Sequence, residues 1–200
     1  MNECLLCEKD MASTPSWQAL LGTEKRTNIC QHCSNKFQRA DNKEECGILD
    51  RITSLYAYNE AMREYLHQFK FLQDVQLAGV FSYEFRSQLL AKAIIVPIPM
   101  HPDKKIQRTF AHVDELLNSA RVPYIHLLEK IDTEAMGEKS KAQRLAMKPL
   151  FSIIEETIIQ PNTYILVDDI YATGTTLRHA ATVLKEAGAT RVEAVTLIRA

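Results

Sequence analysis

The sequence has almost no net charge. Its 24 Lys and Arg face 25 Asp and Glu, a formal balance of −1 at pH 7. Such a chain carries no strong overall field for nucleic acid, so contact with a strand would need a local basic patch. Long apolar runs are missing too. The longest candidate, AKAIIVPIPM at 91–100, is short and broken by Pro97 and Pro99, which excludes a bilayer-spanning helix. The first ten residues, MNECLLCEKD, hold no basic segment followed by an apolar one. No secretory signal is therefore expected, and the chain reads as soluble and cytoplasmic. There is no internal repeat and no low-complexity tract. A dinucleotide-binding GxGxxG fingerprint is absent. The nearest approach to a GxxxxGK[ST] phosphate loop, MGEKS at 136–140, lacks the first glycine and the Gly-Lys order, so an NTPase is excluded.

What is present is a globular balance, 46% hydrophobic and 24% charged over 200 residues. That suffices for one sizeable domain, or a domain with a small module. Four of the five cysteines form two C-x-x-C pairs, Cys4 with Cys7 and Cys30 with Cys33, separated by 22 residues. A C-x-x-C turn brings two thiolates to one tetrahedral ion, and two such turns close its shell. A closed shell implies a structural zinc rather than a catalytic one. The alternative is a redox pair or unliganded thiols, but two knuckles in one short segment favour zinc. Residues 1–45 are poor in aliphatic side chains. Trp17, Leu20, Leu21, Ile29 and Phe37 would form a mini-core too small to fold alone, so metal would supply the missing stability. His32 reads as a bystander, since four thiolates suffice. Cys46 reads as a spare structural thiol.

The polar run DNKEECG at 41–47 marks a boundary between a module at 1–45 and a domain at 48–200. In the second part, apolar runs alternate with helical periodicity. Helices are predicted over 59–70, 75–90, 110–120 and 175–187, the last stopped by Gly188. Strands are predicted at AIIVPIP, PYIHLL, YILV and VEAVTLI. Strands that are apolar throughout, rather than alternating, predict a parallel sheet covered on both faces, an α/β fold. Ligands bind such sheets at the carboxyl ends of the strands. Two unusual stretches fall there, PIPMHPDKK and DDIYATGTT.

The second stretch sits in YILVDDIYATGTT, residues 164–176. A strand delivers Asp168 and Asp169 to the sheet edge, and the loop Ala172, Thr173, Gly174, Thr175, Thr176 turns into a helix N-terminus. Backbone N–H groups, the helix dipole and the threonine hydroxyls there suit a phosphate monoester. Carboxylates beside a phosphate need something hydroxylated or cationic between them, and a ribose 5-phosphate meets that need. The bland reading, acids capping a turn, requires one carboxylate and no Thr/Gly run.

This stretch resembles the phosphoribosyl-pyrophosphate (PRPP) motif of type I phosphoribosyltransferases along its whole length. IIVPIPMHPDKKIQRTF at 94–110, LHQFKF at 66–71, EKSKAQRLAMKPLF at 138–151 and the four cysteines resemble the ComF/ComFC competence family, so the likeness covers nearly the whole chain. One departure stands out. Where the family reads R-G-F-N-Q, this chain has Arg108, Thr109, Phe110, Ala111 and His112.

The resemblance implies a type I phosphoribosyltransferase-like domain that binds PRPP with Mg²⁺. Asp168 and Asp169 would hold the ribose hydroxyls, directly or through the metal, as the catalytic pair. Ala172, Thr173, Gly174, Thr175 and Thr176 would hold the 5-phosphate. His101, Lys104, Lys105 and Arg108 would flank pyrophosphate, with Arg108 favoured because a guanidinium can chelate two phosphate oxygens. Lys139, Lys141 and Arg144 would meet it from a closing loop. Loop lysines are as often simply solvated, and 129–148 reads equally as a charged surface. Lys70, alone among apolar neighbours, either snorkels or reaches the site.

The implied function is competence, in DNA uptake and natural transformation, with single-stranded DNA handled at the cytoplasmic face of the membrane beside a helicase-like ATPase. Residues 104–108 and 139–148, with Phe110, would contact a strand. The alternative is an active phosphoribosyltransferase that displaces pyrophosphate toward an unidentified acceptor. The cysteine module would then serve as a hood over the site or as a partner surface.

Overall fold

A computed structural model describes residues 3–11, 28–42, 47–89, 93–100, 110–131 and 150–200. Its centre is a four-stranded, all-parallel sheet of β1 (Arg51–Ala57), β2 (Ile94–Pro97), β5 (Thr163–Tyr171) and β6 (Arg191–Arg199), in the order β1-β6-β5-β2. A second, antiparallel pair joins β3 (Leu128–Lys130) to β4 (Phe151–Ile153). The helices are α1 (Gln31–Ser34), α2 (Glu60–Lys70), α3 (Ser82–Leu89), α4 (His112–Ser119) and α5 (Thr175–Glu186), with a 3-10 helix at Val75–Phe81 before α3. Among the described residues no helix is long and apolar enough to cross a membrane.

The central strands are buried on both faces, which is why their sequences run apolar without alternation. Ile165 and Val167 of β5 face one core with α2, the 3-10 helix, α3 and α4. Tyr164 and Leu166 face the other, with Leu177, Ala181 and Leu184 of α5 and with Leu128 and Phe151 of the small hairpin. The sheet is therefore the middle of three layers.

Local chemistry sets the element boundaries. Asn59 caps α2 by accepting from the Met62 N–H at 3.0 Å, and Met62, Tyr65, Leu66 and Phe69 form its buried stripe. The stretch predicted as one helix over 75–90 divides into a 3-10 turn and α3. Gly79 lies inside the 3-10 turn, where an added Cβ would sit 3.2 Å from Leu5 Cδ1, and its carbonyl accepts from the Asn28 side chain at 2.7 Å. Close approach of the cysteine segment thus fixes this turn.

Two expectations are corrected, and one strand is added. PYIHLL is not a strand. Its Ile125 N–H donates to Ile95 O and Leu127 O accepts from Ile154 N–H, single bonds that do not extend into a ladder, and β3 begins only at Leu128. β1 went unpredicted because its sequence, RITSLYA, includes polar residues. Its buried Ser54 hydroxyl donates to Thr196 Oγ1 of β6 at 2.8 Å, and the Thr196 hydroxyl donates on to Ile198 O at 3.2 Å. The separate mini-core is also absent among the described residues. Ile29 is buried in the core shared with Leu55 and Tyr65. Phe37 packs edge-on against Phe81, Tyr56 and Tyr65 at 5.0, 6.0 and 6.5 Å. Trp17, Leu20 and Leu21 lie outside the described residues.

Candidate phosphoribosyl site and cysteine centre

β5 does not end at Val167 as its apolar run suggested. It continues to Tyr171, with Asp168 in register with Thr196 of β6. On its other side β2 stops at Pro97, opposite Val167. The two acids therefore lie within one ladder and beyond the end of the other. They reach a cavity of about 240 Å³ at the carboxyl edge of the sheet, lined also by Lys70, Pro99, Met100, His112, Asp114, Lys130 and Thr176.

Adjacent strand residues point to opposite faces, and the two acids meet different surroundings. Asp169, in phase with Ile165 and Val167, is 8% exposed. Its Oδ2 pairs with the Nζ of Lys70, itself 9% exposed, and lies 3.4 Å from His112 Nε2. Asp168 is partly exposed to the cavity, and its Oδ1 accepts from the Asp169 N–H at 2.9 Å. Burial pushes its carboxyl up to about 7, although Lys70 and Lys130 pull the other way.

The loop that follows is set by Gly174, at φ +73°, in the left-handed region. It immediately precedes α5, whose first turn no side chain caps. The first N–H groups of a helix have no partner within it, so this end is open to an anion. Thr173 and Thr175 join hydroxyls at 3.0 Å, and Thr176 turns to the cavity. Ala172 and Thr173 are exposed. Arg178, one turn into α5, braces the loop: it donates to Thr173 O at 2.6 Å and to the Tyr171 hydroxyl at 3.0 Å. His101, Lys104, Lys105, Arg108, Lys139, Lys141 and Arg144 lie outside the described residues. Lys70 reaches the site, and the sequence signals for that were its isolation among apolar residues and its place in the family-like LHQFKF segment. His112 was visible only as a departure from a family motif, and Lys130 carried no signal.

The second constellation is the cysteine centre. The Sγ atoms of Cys4, Cys7, Cys30 and Cys33 all lie within 4.8 Å of one another, and Cys7 and Cys30 are 3.7 Å apart. Zinc–sulfur bonds in a tetrahedron set sulfurs about 3.8 Å apart, so this donor set fits zinc. Burial raises the Cys4 thiol, but backbone N–H groups, Cys30 foremost at 3.2 Å, bring it down to about 6. Burial and the neighbouring sulfurs push Cys33 up to about 12. Four crowded thiols do not all ionise without a cation among them. His32 is exposed and stands outside the cluster. Cys46 lies outside the described residues.

The phosphoribosyl transferase domain model matches residues 127–200. A solved glutamine PRPP amidotransferase from B. subtilis, complexed with ADP and GMP, is 23% identical, with a TM-score of 0.41. The match covers 60% of this chain and a quarter of that one. The competence protein ComFC of Bacillus subtilis is 28% identical over 98% of this chain and 94% of its own length. ComFC of Streptococcus pneumoniae is 30% identical over 98% of this chain and the whole of its own. End-to-end similarity of that extent places the chain in the ComFC family of competence proteins, with a phosphoribosyltransferase-like domain.

Proposed function

We propose that this protein binds a phosphoribosyl ligand of the PRPP class and serves DNA uptake in natural transformation. One observation carries the ligand reading. A single cavity joins two strand-end carboxylates to Thr176, at the open N-terminus of α5. The 5-phosphate would take the N–H groups and hydroxyls of 172–176, and the ribose hydroxyls would donate to the carboxylates. Mg²⁺ bound with PRPP would neutralise charge on the pyrophosphate, and Asp168 is the acid placed to meet it. Lys105, Arg108 and Arg144 are proposed for the pyrophosphate. Residues 1–45 are read as a zinc-ordered module on the 48–200 domain. Family membership supports contact with single-stranded DNA and a helicase-like ATPase near the membrane.

The test is calorimetric titration of the full chain with PRPP, with and without Mg²⁺, against ribose 5-phosphate. Saturable binding of both ligands, with PRPP tighter in Mg²⁺, is expected. No binding of either at millimolar concentration would refute the reading.

Turnover is the second reading, and the cavity favours it by joining both carboxylates to Thr176 at the open end of α5. The anomeric C–O bond to pyrophosphate would break, a bond to an acceptor nitrogen would form, and the acceptor proton would pass to solvent. Pyrophosphate release with a nucleobase panel would support this, and its absence across the panel would leave a binding protein.

A further inference from the structure

The buried partner of Asp169 has a consequence for how the site handles cations. Lys70 is the last residue of α2. That helix is anchored at its other end on the cysteine segment, where the Asn59 side chain donates to Lys36 O at 2.8 Å. Its last turn is clamped by buried Phe69, which packs on Phe110 at 5.5 Å. The ammonium is therefore delivered to the cavity by a rigid element rather than by a loop. A buried ion pair is a poor stability device, because desolvating both charges offsets most of their attraction. Its retention in a ligand-lined cavity calls for another reason.

A magnesium ion on Asp169 Oδ2 would sit about 2.1 Å from that oxygen. The same oxygen already holds the Lys70 ammonium and faces His112. A dication and an ammonium on one oxygen repel strongly in a poorly solvated cavity. Asp168 forms no salt bridge among the described residues and opens to the cavity. The two acids are thus already divided: Asp169 is ion-paired with Lys70, whereas Asp168 faces the cavity, with Lys130 also on its lining, without an ion pair among the described residues.

We propose, resting on the phosphoribosyl reading above, that Lys70 is the resident cation of this site. It holds Asp169 charge-balanced as an acceptor for ligand hydroxyls, so that the sugar phosphate binds without metal, and it confines metal to Asp168. Lys70 is a positioning residue that acts through Asp169. Removing its charge while keeping its length, as in Lys70→Met, opens Asp169 to a dication and makes ribose 5-phosphate binding depend on Mg²⁺.

The experiment is calorimetry of ribose 5-phosphate binding in EDTA and in Mg²⁺. It uses the full-length wild type, Lys70→Met, and Lys70→Met combined with Asp169→Asn. Wild type should bind with nearly equal affinity in both buffers. Lys70→Met should lose about tenfold in EDTA, the worth of one charge-assisted hydrogen bond, and recover most of it in Mg²⁺. The double variant leaves no unpaired buried carboxylate, so it guards against a folding defect in the single variant. It should bind equally in both buffers. Equal Mg²⁺ enhancement in wild type and Lys70→Met overturns the proposal, as does persistence of the enhancement in the double variant. Silence of the wild type toward both ribose 5-phosphate and PRPP refutes the phosphoribosyl reading itself, a distinct result.

Discussion

Replacing Gly174 with alanine asks how much of the anion loop is held by one missing Cβ. The glycine sits at φ +73°, and an added Cβ would lie 2.6 Å from the Tyr171 hydroxyl oxygen and 2.7 and 2.8 Å from its ring carbons. Three separable costs follow. The left-handed backbone alone costs alanine about 1–2 kcal/mol. Moving the ring off its position adds about 1 kcal/mol. Breaking the 3.0 Å bond from Arg178 to the Tyr171 hydroxyl adds about 1–2 kcal/mol. The sum is about 3–5 kcal/mol of stability, and it falls on the loop proposed to hold the 5-phosphate. Urea unfolding at constant m-value measures it.

A second background apportions the cost. Tyr171→Ala removes the ring, so in that background Gly174→Ala should cost only the backbone part, about 1–2 kcal/mol. Tyr171→Phe keeps the two crowding carbons but has no Arg178 bond to lose, so there the cost should fall only by that bond's share, about 1–2 kcal/mol. If Gly174→Ala costs the same in the wild-type and Tyr171→Ala backgrounds, the ring is not the constraint and the reasoning fails. A total cost below about 1 kcal/mol would show that the loop relaxes freely and that its left-handed turn is not required.

The remaining predictions concern the metal centre and Asp168. Purified protein should carry one zinc ion per chain by elemental analysis, and a strong chelator should lower Tm by on the order of 10 °C in one cooperative transition. A single transition is expected because Cys4, Ile29 and Cys33 share the core of the sheet's helical face; absence of metal, or an unchanged Tm, would contradict the zinc assignment. Asp168 has its carboxyl raised from 3.8 to about 7 by burial. As pH rises through that window the unfolded chain loses the proton first, so the folded state binds more protons and stability falls. The rise corresponds to at most about 4 kcal/mol at 1.36 kcal/mol per pH unit. In metal-free buffer, Asp168→Asn should therefore gain on wild type between pH 4 and pH 7 and hold its advantage above. A stability difference that does not change with pH would refute the buried-carboxyl argument.

Local pattern made much of this protein legible. Continuous apolar strands announced a doubly covered parallel sheet, because period-2 alternation disappears when both faces are buried. Two C-x-x-C pairs announced a four-sulfur centre, because that spacing by itself turns two thiols toward one point. YILVDDIYATGTT announced a strand, a turn and an open helix end, each dictated by nearby residues. Tertiary structure alone decided what each acid would meet. Asp168 and Asp169 are neighbours with identical side chains, and nothing adjacent in sequence distinguishes them. Strand geometry sends them to opposite faces, and α2 and α4 bring Lys70 and His112 to only one of them. β1 was hidden for the same reason, since Ser54 reads as polar until Thr196 is found beside it. So too was the union of the cysteine segment with the main core: Phe37 finds its ring partners at Tyr56, Tyr65 and Phe81, and only folding sets them around it.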